Sequence, residues 1–373
     1  MKFEKILLLF VFLTLTSVLN AQDTKYHMLI GTYTSPGKSE GIYVYEFDTQ
    51  TASIAYKNKT VISSPSYLAV TKDRKFVYAV SEASASKINA FAYNSKNGVL
   101  TFLNSQPSGS SGPTYISVDA NGKYVFAANY GGGSLTAFPV EKDGFLGSDI
   151  QDIKHEGRSI VKTKPHVHSA VLSPDNKYVI AADLGTDKLN IYSFNPKNRP
   201  LPLKPAAQAF VTLEPGSGPR HSAFHPNKKF IYAVTELSST VNAFSYKDGH
   251  LAAIQTISML PAGYTGKGDG ADIHVSADGK FLYASTRNAV NEIVIYSINQ
   301  KSGKLTLTGR QSTTGKSSRT FEIDPSGNWM VVTNQGTNTI VVFKRDQKTG
   351  LLSPTGQKIE IDRPSFVKFV KID

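Results

Sequence analysis

The sequence predicts an all-β fold, a seven-bladed β-propeller, and three observations support this prediction. An apolar strand, a polar turn and a short aromatic-rich strand recur together about 50 residues apart, a repeat length typical of propeller blades. Strands and turns fill the intervals, and no helical periodicity interrupts them. The two ends of the chain carry complementary parts of the same repeat. The turn residues that align the copies are Lys75, Lys123, Lys177, Lys229, Lys280 and Asn328.

The repeats divide the chain into seven predicted blades. Their ranges are 26–62, 65–107, 113–157, 165–213, 219–260, 271–314 and 319–361. The first blade lacks its first strand, because the segment YHMLIGTYT matches the second strand of the other blades. The tail 363–370, RPSFVKFV, resembles the missing strand. We therefore predict that the C-terminal strand completes the N-terminal blade and closes the ring, which removes open sheet edges.

The repeat also predicts the third and fourth strands of each blade. Segments such as KINAFAYN, KLNIYSFN and EIVIYSIN predict a third strand, and a shorter fourth strand follows each. Asn-Gly, Asp-Gly and Ser-Gly pairs separate the two, as tight hairpins require.

The N-terminal segment predicts export. Lys2 and Lys5 precede an apolar run over residues 6–19, which is typical of a secretory signal peptide covering residues 1–21. Residues 22–373 are then one propeller domain, placed in the periplasm or outside the cell, with no membrane attachment after cleavage. The chain has no cysteine, so its stability comes from its core instead of from disulfides. A monomer is expected.

The charge balance favours a solvated basic surface. The formal net charge is +12, from 41 Lys and Arg against 29 Asp and Glu. The lysines fall mostly in the blade turns, spaced around the ring, where they keep strand edges soluble. No nucleic-acid-binding module is recognisable, so we expect no nucleic-acid partner, and an anionic small molecule is compatible with the charge.

Two positions of the repeat carry residues that differ from blade to blade. In an antiparallel pair, the start of the first strand and the end of the second lie at the same end of the sheet, so both positions ring one mouth of the central channel. Nine residues before the turn stand Ser66, Thr114, His168, Arg220, Ala271 and Arg319. Seven residues after it stand Glu82, Tyr130, Leu184, Glu236, Arg287 and Gln335, with Tyr33 as the equivalent in the first blade.

This ring has two interpretations. Convergent His, Arg and Glu side chains in a funnel are typical of a site for a small anionic or carbonyl-bearing ligand. The alternative is a set of ion pairs, Arg220 with Glu236 and Arg287 or Arg319 with Glu82, that neutralise a polar channel. His168 taken singly is more typical of a hydrogen-bonded structural residue, because strand histidines more often have that role.

Other motifs give weaker signals. His166-x-His168 and Asp272-x-His274 place pairs of metal-ligating side chains on one strand face, but no further ligands accompany them, so no metal and no cofactor are expected. Gly131, Gly132 and Gly133 could form a phosphate nest or a flexible loop. The GKSEG segment at residues 37–41 matches a nucleophile motif by letter, but it lies in a predicted hairpin loop instead of a strand-to-helix turn.

Several motifs resemble the seven-bladed propeller lactonases, a family that includes propeller-type 6-phosphogluconolactonases and 3-carboxy-cis,cis-muconate lactonizing enzymes. The similarity covers essentially the whole chain after residue 21. It rests on GTYT (31–34), GIYVYEFD (41–48), NYGGGSLTAFPV (129–140), KPHVHSAVLSPD (164–175), GSGPRHSAFHPN (216–227) and GADIHVSADGKFLYASTR (270–287). The resemblance implies a metal-free site built from His168, Arg220, Glu236 and Arg287, which all occupy the two ring positions.

The expected function is hydrolysis of a sugar-derived lactone. Glu236 is the expected general base held by Arg220, His168 its partner in proton transfer, and Arg287 the group that stabilises the oxyanion. Further substrate contacts are expected from Arg319, Tyr130, Gly131, Gly132, Glu82 and Gln335. The substrate is 6-phospho-glucono-1,5-lactone or, because of the predicted export, an unphosphorylated sugar lactone. Two alternatives remain open, a muconate-type lactonizing cyclase and a non-catalytic exported propeller that binds a sugar or a peptide.

Overall fold

The computed structural model describes residues 24–83, 85–148 and 150–373, so the predicted signal peptide lies outside the described residues. Nearly all regular structure in this part of the chain is β-strand, with one 3₁₀ turn at Gln335–Thr337. The strands are β1 (Lys25–Thr32), β2 (Gly41–Asp48), β3 (Ile54–Val61), β4 (Leu68–Val70), β5 (Phe76–Ser81), β6 (Lys87–Tyr93), β7 (Leu100–Pro107), β8 (Pro113–Val118), β9 (Tyr124–Asn129), β10 (Ser134–Pro139), β11 (Gln151–Lys154), β12 (Val167–Leu172), β13 (Tyr178–Asp183), β14 (Lys188–Phe194), β15 (Leu203–Thr212), β16 (Pro219–Phe224), β17 (Phe230–Thr235), β18 (Thr240–Lys247), β19 (His250–Ser258), β20 (Gly268–Val275), β21 (Phe281–Asn288), β22 (Glu292–Ile298), β23 (Leu305–Ser312), β24 (Ser318–Ile323), β25 (Trp329–Asn334), β26 (Thr339–Arg345), β27 (Leu352–Glu360) and β28 (Pro364–Lys371).

These strands form seven four-stranded antiparallel sheets, which are the blades of the propeller. Blade 1 has the order β28-β1-β2-β3, and blades 2 to 7 each take the next four strands along the chain, from β4–β7 to β24–β27. The predicted all-β, seven-bladed architecture is confirmed. None of the described residues forms an apolar helix of membrane-spanning length.

The ring closes through the two ends of the chain, as predicted. Strand β28 pairs antiparallel with β1, from Tyr26 opposite Lys371 to Thr32 opposite Pro364. Phe366 and Val367 on β28 are buried, and the Phe366 ring packs against Tyr67 of blade 2 with centroids 4.3 Å apart. The last strand therefore joins the core between blades as well as the sheet of blade 1.

The cores lie between neighbouring blades. The second and third strands are buried nearly throughout, as in β17 (FIYAVT) and β21 (FLYASTRN), whereas the fourth strands alternate between buried and exposed residues. Between blades 5 and 6, Tyr232, Val234, Ile273, Leu282 and Val294 belong to one apolar cluster. Each blade thus covers the apolar face of the next, which is why the strand sequences repeat.

A recurrent tyrosine hydrogen bond links successive blades. The hydroxyls of Tyr78, Tyr232 and Tyr283 each donate to a glycine carbonyl in the outer turn of the next blade, at 2.8 to 3.1 Å; the acceptors are Gly144, Gly303 and Gly350. At Gly303, φ is +71° and a Cβ would lie 2.6 Å from Phe230, so the turn needs glycine for both conformation and close packing. This contact fixes the repeat's Gly-containing turn against the aromatic second strand of the preceding blade.

Candidate active site at the channel mouth

Bulges in the inner strands present the site residues to the channel. The pairing of inner and second strands skips one residue at Thr114, His168, Arg220, Arg319 and Ser365, and it skips Ala271 and Asp272 in blade 6. A bulged residue leaves the ladder, bends the strand and re-aims its side chain, which is a common device beside active sites. Five of the skipped residues stand at the predicted position nine residues before the turn: Thr114, His168, Arg220, Ala271 and Arg319.

Glu236 forms the centre of the first cluster of ring residues. Its Oε2 accepts a hydrogen bond from Arg220 Nε at 3.1 Å and lies 2.8 Å from Arg287 Nη2. Arg220 is fully buried, and its Nη1 also donates to the carbonyl of Ala271 at 2.5 Å. The structure therefore brings three of the predicted catalytic residues together, with the carboxylate held between two guanidinium groups.

Glu82 forms a second, separate cluster across the mouth. The hydroxyls of Tyr33 and Ser66 donate to its Oε2 at 2.7 and 2.5 Å. Arg319 Nη2 donates to Thr114 Oγ1 at 3.1 Å and lies 3.6 Å from the same carboxylate oxygen. The alternative pairing of Arg287 with Glu82 does not occur, because Arg287 contacts Glu236 instead.

His168 lies buried beside the first cluster. Its ring packs edge-on against His221 and Tyr130, with centroids 5.2 and 5.6 Å away, and Tyr130 also stacks on His166. Its Nδ1 is buried and has no hydrogen-bond partner among the described residues. An unsatisfied buried polar atom is uncommon in folded proteins, and groups with a catalytic role are among the exceptions.

The cluster's electrostatics favour an ionised carboxylate and a neutral imidazole. Burial opposes the charge on Glu236, but Arg287, Arg220 and Arg319 outweigh it and lower the pKa of this carboxyl. Burial, with Arg220 and other cations nearby, lowers the pKa of His168 well below its ordinary value. Burial and the other two arginines lower the pKa of Arg220 to about 9, so this group stays charged at neutral pH.

Three further residues were predicted to contact the substrate. Gly131 and Gly132 lie in one loop, and Gln335 lies at the rim of the channel mouth. The amides of Gly132 and Gly133 donate to Ser111 O and Asn129 O at 2.9 and 2.8 Å, and the carbonyl of Gly131 accepts from Lys164 Nζ at 2.8 Å. Because two of the three glycine amides already have partners, they are not directed at a bound phosphate, and the contact of this loop with substrate stays a prediction. Gln335 and Arg287 line a rim cavity of about 410 Å³ that also includes Arg363.

Sequence reasoning missed His221, whose Nε2 lies 3.3 Å from Arg220 Nη1. Its Nδ1 is 2.8 Å from Asp272 Oδ1, and Asp272 Oδ2 is 3.0 Å from His274 Nε2. The Asp272-x-His274 pair is thus used in a hydrogen-bonded chain, and no group of His, Asp or Glu among the described residues is arranged to hold a metal ion. The missed signal was that His221 and Asp272 both stand eight residues before their turn, next to the ring position at which the inner strand bulges.

Comparison with known proteins shows the family of the chain. The family described as "Lactonase, 7-bladed beta-propeller" matches residues 27–369. The chain belongs to the seven-bladed propeller lactonase family. A relative within it, the 6-phosphogluconolactonase of Bacillus subtilis, is 37% identical over 353 residues, which cover 93% of this chain and 99% of the relative.

Two further members of the lactonase family are similar over most of their length. A 6-phosphogluconolactonase of Formosa agariphila is 36% identical over 321 residues, covering 83% of this chain and 89% of the relative. The solved structure of a periplasmic gluconolactonase of Pseudomonas aeruginosa superposes with a TM-score of 0.90 at 35% identity, covering 94% of this chain and all of that one. The family resemblance predicted from the sequence motifs is confirmed.

Proposed function

We propose that this lactonase-family protein hydrolyses a sugar-derived 1,5-lactone to its aldonic acid. The observation that carries the proposal is the Glu236 carboxylate held between Arg220 and Arg287, beside the buried His168, whose Nδ1 lacks a partner among the described residues. Ester hydrolysis at neutral pH needs a polarised carbonyl and a means of moving a proton from water to the leaving alkoxide. This cluster contains groups for both tasks.

The proposed reaction has two steps. Water attacks the lactone carbonyl and forms a C–O bond while Glu236 takes its proton; the second carboxylate oxygen, Oε1, takes part in neither arginine contact. The tetrahedral intermediate then collapses, the bond between the carbonyl carbon and the ring oxygen breaks, and the departing alkoxide receives the proton that Glu236 took, passed on through His168, which leaves Glu236 ionised again. Arg220 and Arg287 stabilise the negative charge on the former carbonyl oxygen.

The identity of the substrate is part of the proposal. The Bacillus and Formosa relatives are named for a phosphorylated lactone, and the Pseudomonas relative for gluconolactone in the periplasm. With the predicted export of this chain, the periplasmic relative supports an unphosphorylated sugar lactone in the periplasm as the substrate. The rim cavity with Arg287 and Arg363 would also accept a phosphate group, so both lactones belong in the test.

The deciding experiment measures hydrolysis of glucono-1,5-lactone and its 6-phosphate in a pH-stat, corrected for spontaneous ring opening. Glu236→Gln should lower kcat at least about 100-fold, the scale of a lost acid–base group. Glu292→Gln is the matched control, because Glu292 also pairs with an arginine, Arg310 at 3.0 Å, and its side chain is 23% exposed against 19% for Glu236.

The outcomes separate the candidate functions. Turnover that falls in Glu236→Gln and persists in Glu292→Gln supports the lactonase. Saturable binding of a sugar lactone without turnover would replace it with the binding propeller. Absence of both binding and turnover for the two lactones would contradict a sugar lactone as the substrate and direct the search to the lactonizing cyclase.

A further inference from the structure

A hydrogen-bonded chain of three side chains, His221, Asp272 and His274, extends from Arg220. His221 is buried, and its ring is within 5.2 to 5.8 Å, centroid to centroid, of His168, Tyr115 and Tyr67. Asp272 is fully enclosed, whereas 28% of the His274 side chain is exposed in a second chamber of about 270 Å³ farther along the channel. These groups therefore connect Arg220 to the lining of this lower chamber.

Asp272 is the acceptor at the centre of this chain. Its Oδ1 accepts from the amide of Ile273 at 3.0 Å and lies 2.8 Å from His221 Nδ1; its Oδ2 accepts from the amide of Phe321 at 3.2 Å and lies 3.0 Å from His274 Nε2. Burial opposes its charge, but the hydrogen bonds and charges of His274 and His221 outweigh it and lower the pKa of Asp272. Asp272 is therefore an ionised carboxylate, which accepts hydrogen bonds and donates none.

The carboxylate decides where His221 carries its proton. Because Asp272 only accepts, the hydrogen must sit on His221 Nδ1. Burial and Arg220 lower the pKa of His221 to about 4, so the ring is neutral at pH 7 and its Nε2 has a free lone pair. That nitrogen lies 3.3 Å from Arg220 Nη1, which can only donate. With the opposite tautomer, two N–H groups would face each other.

Asp272 also supports the other backbone contact of Arg220. The inner strand of blade 6 leaves register at Ala271 and Asp272, and the Asp272 carboxylate holds the amide of Ile273 just after the bulge. The bulge presents the carbonyl of Ala271, which accepts from Arg220 Nη1 at 2.5 Å. Both hydrogen-bonding contacts of Nη1 thus depend on Asp272, while Nε remains directed at Glu236.

We propose that His221, Asp272 and His274 form a positioning unit that fixes the His221 tautomer and so aims the Arg220 guanidinium at the carbonyl of the lactone. This inference rests on the proposed function for its kinetic consequence, but not for its structural one. None of the three contacts substrate in this scheme. They act through Arg220, so their loss should lower kcat and leave substrate binding largely unchanged.

The test combines imidazole nitrogen NMR with kinetics on the intact protein. In ¹⁵N-labelled wild type, we expect His221, assigned by loss of its signal in His221→Asn, to carry its proton on Nδ1. Asp272→Asn should abolish this preference, because an amide can donate to Nδ1, and should lower kcat about 10- to 100-fold, as is usual when the hydrogen-bond partner of a functional group is removed.

The control and the second variant lie at equivalent positions. Glu322 and His274 both stand six residues before their turn, and Glu322 pairs with Lys368 instead of Asp272, so Glu322→Gln should change neither tautomer nor kcat. His274→Gln replaces a partly exposed side chain and serves if Asp272→Asn does not fold; it should lower kcat more than Glu322→Gln does.

The outcomes keep this inference apart from the proposed function. A proton on His221 Nε2 in the wild type, or equal kinetic effects of the variants at positions 272, 274 and 322, would overturn the positioning unit. If the wild type hydrolyses neither lactone, the proposed function fails, and the tautomer measurements still decide whether Asp272 sets the state of His221.

Discussion

The two ring carboxylates differ in the chemical character of what surrounds them. Glu82 accepts hydrogen bonds from the hydroxyls of Tyr33 and Ser66, with Arg319 3.6 Å away, whereas Glu236 lies against two guanidinium groups. Neutral donors orient a carboxylate, while paired arginines both fix it and concentrate positive charge beside it. Glu236 therefore lies where negative charge would be stabilised during reaction, and Glu82 is better suited to positioning Arg319 and substrate hydroxyls.

The lowered pKa values in this cluster predict a flat pH profile. Because the pKa of Glu236 is lowered and that of His168 lies well below its ordinary 6.5, neither group changes charge between pH 6 and 8. We expect kcat/KM for the lactone to be constant over this range, to fall below about pH 5 as these groups are protonated, and to fall again above about pH 9 as Arg220 loses its charge. A change in kcat/KM with its midpoint between pH 6 and 7, measured after correction for spontaneous ring opening, would contradict a neutral His168.

Arg220 should not tolerate replacement by lysine. Arg220 uses Nε and Nη1 for different partners, and a lysine ammonium cannot reproduce this fork. Arg220→Lys should lower kcat/KM about 100-fold, the effect of losing one oxyanion donor. Arg310→Lys is the control, because Arg310 also binds a carboxylate, Glu292, and the carbonyl of Met259, away from the channel. An equal loss in both variants would indicate a general effect on folding.

For single residues, regular strand geometry is enough to predict which positions of the repeat lie at the candidate site. Counting from the turn placed His168, Arg220, Glu236 and Arg287 among the ring positions, because their distance from a regular hairpin is fixed, and the family resemblance then singled out these four. His221 was missed because alternation along a regular strand would turn it away from its neighbour Arg220. The bulge that cancels this alternation depends on tertiary packing, which no local pattern in the sequence reveals.

Among the elements, the outer hairpin turn of each blade has a structural role beyond reversing the chain. The tyrosines of β5, β17 and β21 donate to carbonyls in these turns, so each turn is also a contact between blades. The tight Gly-containing turns were predictable from the sequence, since the residues at positive φ are mostly Gly, Asn or Asp. The contact of these turns with the preceding blade was not predictable, because it joins residues about 70 positions apart, such as Tyr232 and Gly303.

Alanine substitutions at Gly303 and Gly263 should distinguish the conformational cost of a side chain in such a turn from its packing cost. Gly263 also has positive φ, +75° against +71°, but a Cβ there meets nothing within 4 Å, whereas at Gly303 it would lie 2.6 Å from Phe230. Gly263→Ala should cost about 1 kcal/mol of unfolding free energy for conformation alone. Gly303→Ala should cost about 1–3 kcal/mol more. Urea denaturation measures both, and equal costs would show that the turn does not pack against blade 5.

The closing strand offers a second test among the elements. Phe366 on β28 is 5% exposed, while Phe102 on the outer strand β7 is 55% exposed. Phe366→Ala should lower the free energy of unfolding by about 3–5 kcal/mol, the usual cost of emptying a buried phenylalanine site. Phe102→Ala should change it by less than about 0.5 kcal/mol. A small effect at Phe366 would mean that ring closure contributes little to stability.

For the whole molecule, the balance of buried titratable groups predicts acid sensitivity. The folded state lowers the pKa of His168, His221, Asp272 and Glu236, so the unfolded chain binds more protons as the pH falls, and stability rises with pH. His274 has a raised pKa and contributes in the opposite direction, with stability that is lost as the pH rises.

The net expectation is a loss of stability between pH 7 and pH 4. Thermal unfolding followed across this range should show a falling Tm, and His274→Gln should make the fall steeper, because it removes the one opposing group among these five. A Tm that stays constant or increases toward pH 4 would show that these side chains are not buried in the charge states inferred here.

The pairing of β28 with β1 has a mechanical consequence. The strands are antiparallel, and Tyr26 near the start of the described chain lies opposite Lys371 near its end. The first and last described residues therefore lie at the same end of this strand pair. A force applied between the termini loads the hydrogen bonds one after another, as in a zipper, instead of all at once in shear. The ring should therefore open at low force from this seam, with blade 1 losing its inner strand before any other blade is disturbed.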